Sequence, residues 1–452
     1  MKWRLHCGAA IFVYASLPGE DMKSRSTSPW LALVVLTGVS TVGFIDRIVV
    51  NVLVEPVKAE FGLSDTQVSL MGMAFALMYI GVGIAAARLA ERKRRLTLIS
   101  LGTAVWSVAT AACGLAGSWA QLLVARVGVG FGEVVGLPGN QSVLADYFPA
   151  TKRGLALSVL MLAPPVGAFV GFVGGGWIAQ EFNWRTTFLI AAVPGLILSV
   201  IAYLFVAEPR RGQHDPGAGD DVPPISAVLY RLFVLPSARN LVIGSALAAM
   251  FGFGLNYFFT SLMIREFDLA LGEAGLYTGL IASLPAALSV VACGWMGDCW
   301  GPGNPAAYAL IPGAMLLVGG PIYALAIWQE GLTLLLALVS VATFLNFGYL
   351  GITFATIQNL MHPRMRATTV ALLNVVYGIA GGLGPLLLGW MSDSFAITQG
   401  PARGLATAMA ITGLAYVWAS AHYFLAARKL AGDMERVRVP VPAPDPAAAE
   451  GA

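Results

Sequence analysis

Charged residues are scarce in this chain. Aspartate, glutamate, lysine and arginine make up 11% of its 452 residues, whereas 57% are hydrophobic. A soluble domain carries roughly a quarter charged residues, so the solvent for most of this chain is lipid rather than water. The net charge of +3 is small, and no basic stripe is interleaved with aromatic residues. Both observations exclude a nucleic-acid partner.

Cysteine and histidine are also rare, with four residues of each. Cys293 and Cys299 lie six residues apart with no histidine nearby, which is a poor pattern for a metal site. No cysteine falls in a predicted outer loop, so no disulfide framework is indicated. The histidines are scattered, and Gly-x-Ser-x-Gly, His-Glu-x-x-His and Gly-x-x-x-x-Gly-Lys motifs are missing. We expect no metal, cofactor or catalytic residue, which disfavours a membrane-embedded enzyme and an ATP-driven pump.

Apolar runs are what the chain has in abundance. A membrane-spanning helix needs about 20 mostly apolar residues, and twelve runs meet that need. They cover residues 30–53, 66–87, 96–116, 119–145, 154–179, 186–207, 238–264, 274–296, 305–328, 332–360, 367–392 and 403–427. The sequence therefore predicts an all-α membrane protein with twelve transmembrane helices.

The lysines and arginines predict the orientation of these spans. With both termini in the cytoplasm, the inner segments hold 20 of the 27 basic residues and the outer loops hold four. Cytoplasmic loops carry such an excess. We therefore expect a multi-pass protein, of a bacterial inner membrane, with the N- and C-termini in the cytoplasm.

The spans divide into two groups of six. Charge, glycine and proline concentrate in residues 208–237, as in a linker, and 225–235 reads as a short amphipathic helix. We expect a cytoplasmic extension over 1–28, six-helix bundles over 29–207 and 238–427, and a disordered cytoplasmic tail over 428–452. Residues 1–21 resemble a signal sequence, but an upstream start codon or a surface-lying extension is the preferred interpretation.

The two groups repeat each other. Arg153 precedes Gly171 by 18 residues, and Arg366 precedes Gly384 by the same number. Both glycines lie in glycine-dense spans, where helices can approach closely. Lipid-facing helices also tolerate glycine, but the matched offset favours a duplication into two pseudo-symmetric bundles. Such repeats favour a secondary transporter, because alternating access is built by rocking one repeat against another.

One loop carries a specific resemblance. Residues 87–95 read Ala-Arg-Leu-Ala-Glu-Arg-Lys-Arg-Arg, which resembles the inner-loop signature Gly-x-Leu-Ala-Asp-Arg-x-Gly-Arg of the major facilitator superfamily. A partial second copy occupies 294–298. Within that superfamily the first half resembles the spinster family at residues 46–47, 60–67, 125–133, 145–149, 183–185 and 208–212. The resemblance implies the major facilitator fold, a monomer and transport by alternating access.

Four ionisable residues fall deep in predicted spans. They are Asp46, Arg47, Arg126 and Glu133, and intramembrane charges usually mark a pathway or a relay. Arg126 and Glu133 are two helical turns apart and so share a face. We interpret Asp46 and Glu133 as proton acceptors whose proton affinity changes as Arg126 changes partner. The resemblance to proton-coupled spinster members implies the same role, with the proton as coupling ion. The alternative is a static buried ion pair.

A second set of charges lies at the predicted inner surface. Its members are Arg88, Glu91, Arg92, Arg95 and Arg153. The superfamily resemblance implies that they latch the halves together in the outward-facing state. The alternative is simple positive charge on the inner side.

The second half offers aromatic and amide side chains instead of deep charges. Candidate cavity residues are Asn256, Tyr257, Phe258, Asn346, Phe347, Asn374 and Tyr377. A cavity charged on one wall and aromatic on the other suits an amphiphile with a polar head, and the spinster resemblance implies a lysophospholipid or sphingoid substrate drawn from membrane lipid. Multidrug efflux and transport of small organic anions remain the alternatives within the superfamily.

Overall fold

The computed structural model describes residues 27–134, 136–211, 224–362 and 365–438. For residues 79, 80, 83–92, 137, 138, 150, 367, 437 and 438 it describes the backbone without the side chains. The side chains of Arg88, Glu91 and Arg92 therefore lie outside the described part, as does nearly all of the predicted N-terminal extension.

Nine helices form the described part of the first half. They are α1 (Pro29–Val52), α2 (Val54–Phe61), α3 (Asp65–Arg92), α4 (Arg95–Gly114), α5 (Trp119–Glu133), α6 (Gly136–Tyr147), α7 (Ala150–Leu160), α8 (Ala163–Glu181) and α9 (Trp184–Phe205). Side chains cap the N-termini of α5 and α9. Ser118 Oγ accepts from the Gln121 amide at 3.3 Å, and Asn183 Oδ1 accepts from the Thr186 amide at 2.8 Å. Both are typical N-caps.

The second half contains the remaining described helices. They are α10 (Ile225–Val234), α11 (Pro236–Phe267), α12 (Leu271–Trp300), α13 (Ala307–Ile327), α14 (Leu332–Phe347), α15 (Tyr349–Asn359), α16 (Arg366–Gln399), α17 (Pro401–Leu414) and α18 (Tyr416–Arg438). The short helix α10 occupies the predicted linker, where Arg231 Nε donates to the carbonyl of Leu360 at 3.1 Å.

Every predicted span falls on one helix or on two consecutive helices. The paired cases are α5–α6, α7–α8, α14–α15 and α17–α18. Within the described residues, ten of the twelve are long and apolar enough to cross a membrane. The other two are α3 and the pair α5–α6, and only a few residues connect each of them to the helices before and after it in the chain. Each of the twelve predicted spans thus corresponds to a helix or a helix pair of the described chain.

The last helix is longer than the sequence indicates. We expected a tail from residue 428, but α18 continues to Arg438. The carboxylate of Asp433 explains the extension, because its Oδ2 accepts from the amide and the hydroxyl of Ser237 at 3.0 and 2.6 Å. This contact caps α11 and holds the end of α18 against it.

Glycines let the two bundles touch. We call the end of the molecule where α1 begins and α18 ends the near end, and the opposite end the far end. Toward the far end α8 packs on α12 and α3 packs on α16. A Cβ atom on Gly275 would lie 2.5 Å from the carbonyl oxygen of Phe172, and one on Gly382 would lie 2.6 Å from Cβ of Ala76. No larger residue fits these contacts without separating the helices.

Candidate functional site

The four deep charges form one cluster inside the first bundle. Asp46 and Arg47 lie on α1, and Arg126 and Glu133 lie on α5. Asp46 is about 26 Å along α1 from the near end, and Arg126 is about 10 Å along α5 from the far end. Asp46, Arg126 and Glu133 are only 1–2% exposed. Charged groups so deeply buried need partners.

The pairing inside the cluster differs from our expectation. The sequence pointed to Arg126 as the partner of the carboxylates, but Arg47 Nε donates to Glu133 Oε2 and forms the ion pair. Nη1 of Arg126 lies 3.4 Å from the main-chain carbonyl of Asp46. The Asp46 carboxylate accepts from Thr110 Oγ1 at 3.1 Å, and among the described residues it forms no ion pair. The two carboxylates therefore have different partners: Glu133 pairs with Arg47, and Asp46 accepts a hydrogen bond from Thr110.

An aromatic ring lies between the two arginines. The guanidinium carbon of Arg47 is 4.9 Å from the ring centre of Phe75, and that of Arg126 is 5.9 Å from the same ring. Arg47 also lies 5.2 Å from the ring of Phe44. Cation–π contacts of this kind stabilise a desolvated cation. Sequence reasoning missed Phe75 and Thr110, since nothing distinguishes them from other residues of apolar helices.

Several polar atoms of the cluster remain unsatisfied. Asp46 Oδ1, Arg126 Nε and Glu133 Oε1 are buried and have no hydrogen-bond partner among the described residues. Most buried polar atoms in proteins have one. The cluster can therefore accept a proton or a small polar ligand without breaking a bond already made.

A pocket of about 420 Å³, part of it open to solvent, lies in the second bundle. Its lining is mostly apolar with a few amides and hydroxyls, from Gly252, Leu255, Asn256, Phe259, Thr278, Ile281, Ala282, Tyr323, Val339, Thr343, Asn346, Phe347 and Tyr416. Three of the predicted cavity residues, Asn256, Asn346 and Phe347, are among them. The threonine hydroxyls and the two tyrosines were not foreseen, because single hydroxyl residues are common in membrane helices.

Four predicted cavity residues lie outside this pocket. The hydroxyl of Tyr257 donates to the carbonyl of Val68 across the two halves at 2.9 Å, and Phe258 is fully buried. Successive residues of a helix point about 100° apart, so the neighbours of Asn256 face other elements. Asn374 and Tyr377 lie half-buried on α16. The ring of Tyr377 packs on Phe354 at 5.3 Å.

Ion pairs join the halves at the far end. Arg265, at the end of α11, donates to Glu55 Oε1 at 2.6 Å and to Asp65 Oδ1 at 2.7 Å. Asp393 of α16 accepts from the amides of Asp65 and Thr66 at 2.9 and 2.8 Å. The second bundle thereby caps the first turn of α3, where a carboxylate is favoured by exposed N–H groups.

Another ion pair of the far end stays within the first bundle. Arg185 Nη1 and Trp184 Nε1 each donate to Glu60 Oε2 at 2.6 Å. The hydrogen bond from Arg185 lowers the pKa of Glu60, which lies outside the spanning helices. Because this pair is exposed and local, it tightens the fold of one bundle and does not join the two.

At the near end, Arg95 pairs within the first bundle. Its Nη1 donates to Asp146 Oδ2 at 2.6 Å, and its Nε donates to Glu208 Oε1 at 2.9 Å. The sequence predicts that Arg95 latches the halves together in the outward-facing state, whereas in this conformation it bonds to Asp146 and Glu208. Arg153 is half-buried nearby, while the described part of the chain leaves out the other members of the predicted latch.

The comparisons with known proteins agree with this architecture. Residues 35–385 match the family model of the Major Facilitator Superfamily. This chain belongs to that superfamily. The crystal structure of a bacterial homologue of the human lysosomal transporter Spinster, inward-facing and unoccupied, superposes with a TM-score of 0.82. The two chains are 30% identical, and the match covers 90% of this chain and 98% of the homologue.

Two curated relatives are similar over much of their length. An MFS-type efflux pump of Mycolicibacterium smegmatis is 29% identical over 411 residues, which is 90% of this chain and 95% of the pump. Protein spinster of Drosophila melanogaster is 22% identical over 390 residues, covering 82% of this chain and 63% of the relative. The predicted resemblance and the fold of two six-helix bundles are confirmed, and the protein is a multi-pass membrane transporter.

Proposed function

We propose that this transporter couples the movement of an amphiphile of the lysophospholipid or sphingoid class to the movement of protons. The observation that carries the proposal is the buried cluster of Asp46, Arg47, Arg126 and Glu133 in the first bundle. The apolar, amide-bearing pocket of the second bundle supplies the other half of the argument. The proton is the coupling ion, no cofactor is needed, and the protein works as a monomer.

The cluster has the chemistry for exchanging a proton. The Arg47 side chain is 29% exposed while that of Glu133 is 2% exposed, so the arginine can withdraw and the carboxylate cannot. A carboxylate left buried without its cation is costly, and protonation removes that cost. Arg126 lies close enough to take part in such an exchange. When a conformational change moves the arginine away, the Glu133 carboxylate would therefore bind a proton from one side of the membrane. When the arginine returns, the carboxylate would release the proton to the other side.

The pocket fits an amphiphile better than a charged solute. Its polar side-chain atoms are few and neutral, from two asparagines, two threonines and two tyrosines, and its other walls are apolar. Ligand pockets commonly combine apolar walls with a few placed polar groups. A polar head can bind the amides while an acyl chain lies along the apolar wall. No charged side chain of the described residues lines the pocket, which argues against an anion bound there.

Orientation completes the proposal. With the termini in the cytoplasm of a bacterial cell, the far end is the outer side of the inner membrane. Closure at that end, through Arg265 and the glycine contacts, then corresponds to an inward-facing arrangement. A substrate would enter from the cytoplasm or the inner leaflet, and the reverse motion would require the far-end contacts to break.

Multidrug efflux is the second candidate. The similarity to the efflux pump of Mycolicibacterium smegmatis over 90% of this chain favours it. The two candidates differ in what the pocket requires. A lysolipid transporter depends on its amides to bind a head group, whereas a drug pump that binds flat lipophilic cations depends mainly on the aromatic walls.

Proton flux in proteoliposomes tests the coupling. A trapped pH dye would report proton movement when a lysophospholipid or a sphingoid base is added below its micellar concentration, with protein-free liposomes as background. We expect substrate-evoked flux in the wild type and its loss in Asp46→Asn and Glu133→Gln, with binding retained. Asp433→Asn is the matched control, because Asp433 is equally buried but caps α11. Wild-type flux in both cluster variants would contradict the proposal.

A further inference from the structure

A second, smaller space lies inside the first bundle, next to Glu133. It measures about 280 Å³, part of it open to solvent, and it is lined by Val39, Ser40, Gly43, Phe44, Arg47, Trp106, Glu133, Gly136 and Asn140. These residues come from α1, α4, α5 and α6. None of them lines the pocket of the second bundle. The two spaces are therefore built from different residues.

Three side chains of this space each leave one buried polar atom unpaired. The atoms are Glu133 Oε1, Trp106 Nε1 and Asn140 Oδ1, which have no hydrogen-bond partner among the described residues. Their side chains belong to residues that are 2%, 2% and 0% exposed. Unpaired polar atoms at such depth are unusual. Three of them around one space indicate a ligand.

The orientation of Asn140 is held by its other amide atom. Nδ2 of Asn140 donates to Ser40 Oγ at 2.8 Å and to the carbonyl of Leu36 at 3.3 Å. Both acceptors lie on α1, so α6 and α1 are pinned together at this level. With Nδ2 committed to α1, Oδ1 is left as an acceptor that no described group satisfies.

The unpaired atoms select the ligand. Trp106 Nε1 is a donor only, while Asn140 Oδ1 and an ionised Glu133 oxygen are acceptors. A metal cation does not fit, because the Arg47 guanidinium lines the same space and an indole N–H cannot coordinate a metal. An anion does not fit beside two acceptors. Water donates and accepts, and buried water typically makes about three such bonds.

We propose that water binds between Glu133, Trp106 and Asn140, and that this water carries the proton between Glu133 and the near end. The inference rests on the proposed proton coupling and adds the route. Ser40 lies seven residues nearer the near end than Arg47 on α1, about 10 Å. Asn140 likewise follows Glu133 by seven residues toward that end. The space thus extends from the carboxylate toward the proposed cytoplasmic side.

The geometry gives this route a functional consequence. The proton moves inside the first bundle, while the amphiphile occupies a pocket formed by other residues of the second bundle. A bulky substrate in its pocket therefore does not block the proton. Asn140, Trp106 and Ser40 act as positioning residues for the water and do not themselves accept the proton.

Radiolytic footprinting tests the bound water directly. Millisecond X-ray pulses generate hydroxyl radicals from bound as well as bulk water, and mass spectrometry locates the modified side chains. We expect modification of Trp106 to exceed that of Phe188, a fully buried core residue, several-fold beyond the intrinsic reactivity ratio of the two residue types. Asn140→Leu should lower Trp106 modification about fivefold. Modification of Trp106 no faster than that of Phe188 would overturn the site.

Proton flux tests the relay. In the proteoliposome assay we expect Asn140→Leu to slow substrate-evoked proton flux about tenfold and Trp106→Phe to slow it severalfold. Substrate counterflow, which needs no net proton movement, should stay within twofold of the wild type. Trp106→Phe keeps an aromatic ring at this position and removes the indole N–H, so it provides an independent test if the Asn140 variant does not fold. Thr103→Val is the control on α4, since the Thr103 hydroxyl bonds its own helix at 2.7 Å.

The outcomes separate the two proposals. Wild-type proton flux in both Asn140→Leu and Trp106→Phe would overturn the relay while leaving proton coupling intact. A wild-type protein that moves substrate without protons would overturn the coupling and the relay together. Footprinting of Trp106 decides the presence of the water in either case.

Discussion

Arg265 of the second bundle lies between Glu55 and Asp65 of the first. Its Nη2 atom is 2.6 Å from the Glu55 carboxylate and 2.7 Å from that of Asp65, and its side chain is only 9% exposed. One cation thus pairs with two carboxylates across the line where the bundles must part, and Lys58 of the first bundle is a second cation on Asp65, at 2.6 Å. We therefore expect closure of the far end to depend on this residue.

Replacement of Arg265 by glutamine should open the far end. Removing one partner of a buried ion pair costs about 3–5 kcal/mol. Here the cost destabilises the closed state alone, because solvent reaches both carboxylates once the bundles separate. We expect the ratio of closed to open protein to fall by about two orders of magnitude. Spin labels on the exposed residues Ala59 and Glu330, one on each bundle, would report the longer distance by double electron–electron resonance.

Arg185→Gln is the matched control for this experiment. Arg185 pairs with Glu60 at the same end, but both side chains are at least a third exposed and belong to one bundle. Exposed pairs contribute about 0–1 kcal/mol. The distance distribution should stay that of the wild type, and an equal shift in both variants would mean that charge at the far end, rather than the Arg265 contact, governs closure.

Gly275→Ala should weaken the same closure by steric means. The added Cβ would lie 2.5 Å from the carbonyl oxygen of Phe172 and 3.3 Å from Cα of Gly176. Both neighbours are main-chain atoms of α8, so only separation of the helices relieves the contact. Overpacking of this kind costs about 1–3 kcal/mol.

Cysteine accessibility measures this effect. In a chain without native cysteines, Cys substituted for the fully buried Ala274 should react about tenfold faster with an impermeant maleimide when Gly275 is alanine. Gly174→Ala is the control on α8, because its Cβ would lie 4.0 Å from the nearest atom. If Gly275→Ala leaves the reaction rate unchanged, the glycine contact does not limit opening.

The sequence predicted the depth of the site better than its pairing. The length of the apolar run before Asp46 places this residue far along its helix, and the seven-residue spacing of Arg126 and Glu133 puts them on one face. Both features depend only on residues close together in the sequence. The Arg47–Glu133 pair joins residues 86 positions apart, and it depends on how α1 is rotated against α5. In lipid the outer and the packed faces of a helix are both apolar, so hydrophobic periodicity does not reveal that rotation.

The same limit applies to the residues of the second bundle. Asn256 and Tyr257 are adjacent, yet one lines the pocket and the other bonds to Val68 of the opposite half. A polar residue in an apolar run indicates a special position without indicating which neighbour it faces. Phe75, which lies between the two arginines of the cluster, carries no such signal at all.

Arg95→Gln should destabilise the first bundle without altering the far end. Arg95 is 5% exposed and holds both Asp146 and Glu208. Its loss would remove a buried cation that pairs with two largely buried carboxylates, at a cost of about 3–5 kcal/mol. The apparent unfolding temperature in detergent should fall by several degrees. Arg94→Gln, at the exposed neighbouring residue, should leave it unchanged, and a similar fall in both variants would contradict this account.

Asn346→Leu should distinguish a head-group site from a drug site. Asn346 is 3% exposed, lines the pocket, and its Oδ1 has no partner among the described residues. If that amide binds the head group, its loss costs about 1–3 kcal/mol, and the Kd for a lysophospholipid should rise about tenfold. Binding of a flat lipophilic cation such as ethidium, which does not need the amide, should change less than twofold.

Asn374→Leu completes this test. Asn374 is an amide of the same bundle that lies outside the pocket, so its loss should alter neither affinity. Equal losses for lysophospholipid and cation in Asn346→Leu would mean that the amide supports the pocket's shape rather than a head group. If only Asn374→Leu lowers the affinity, the substrate site lies toward α16, where Asn374 and Tyr377 were predicted as cavity residues. Because the two amides differ in position but not in chemistry, the comparison decides which wall of the second bundle binds the substrate.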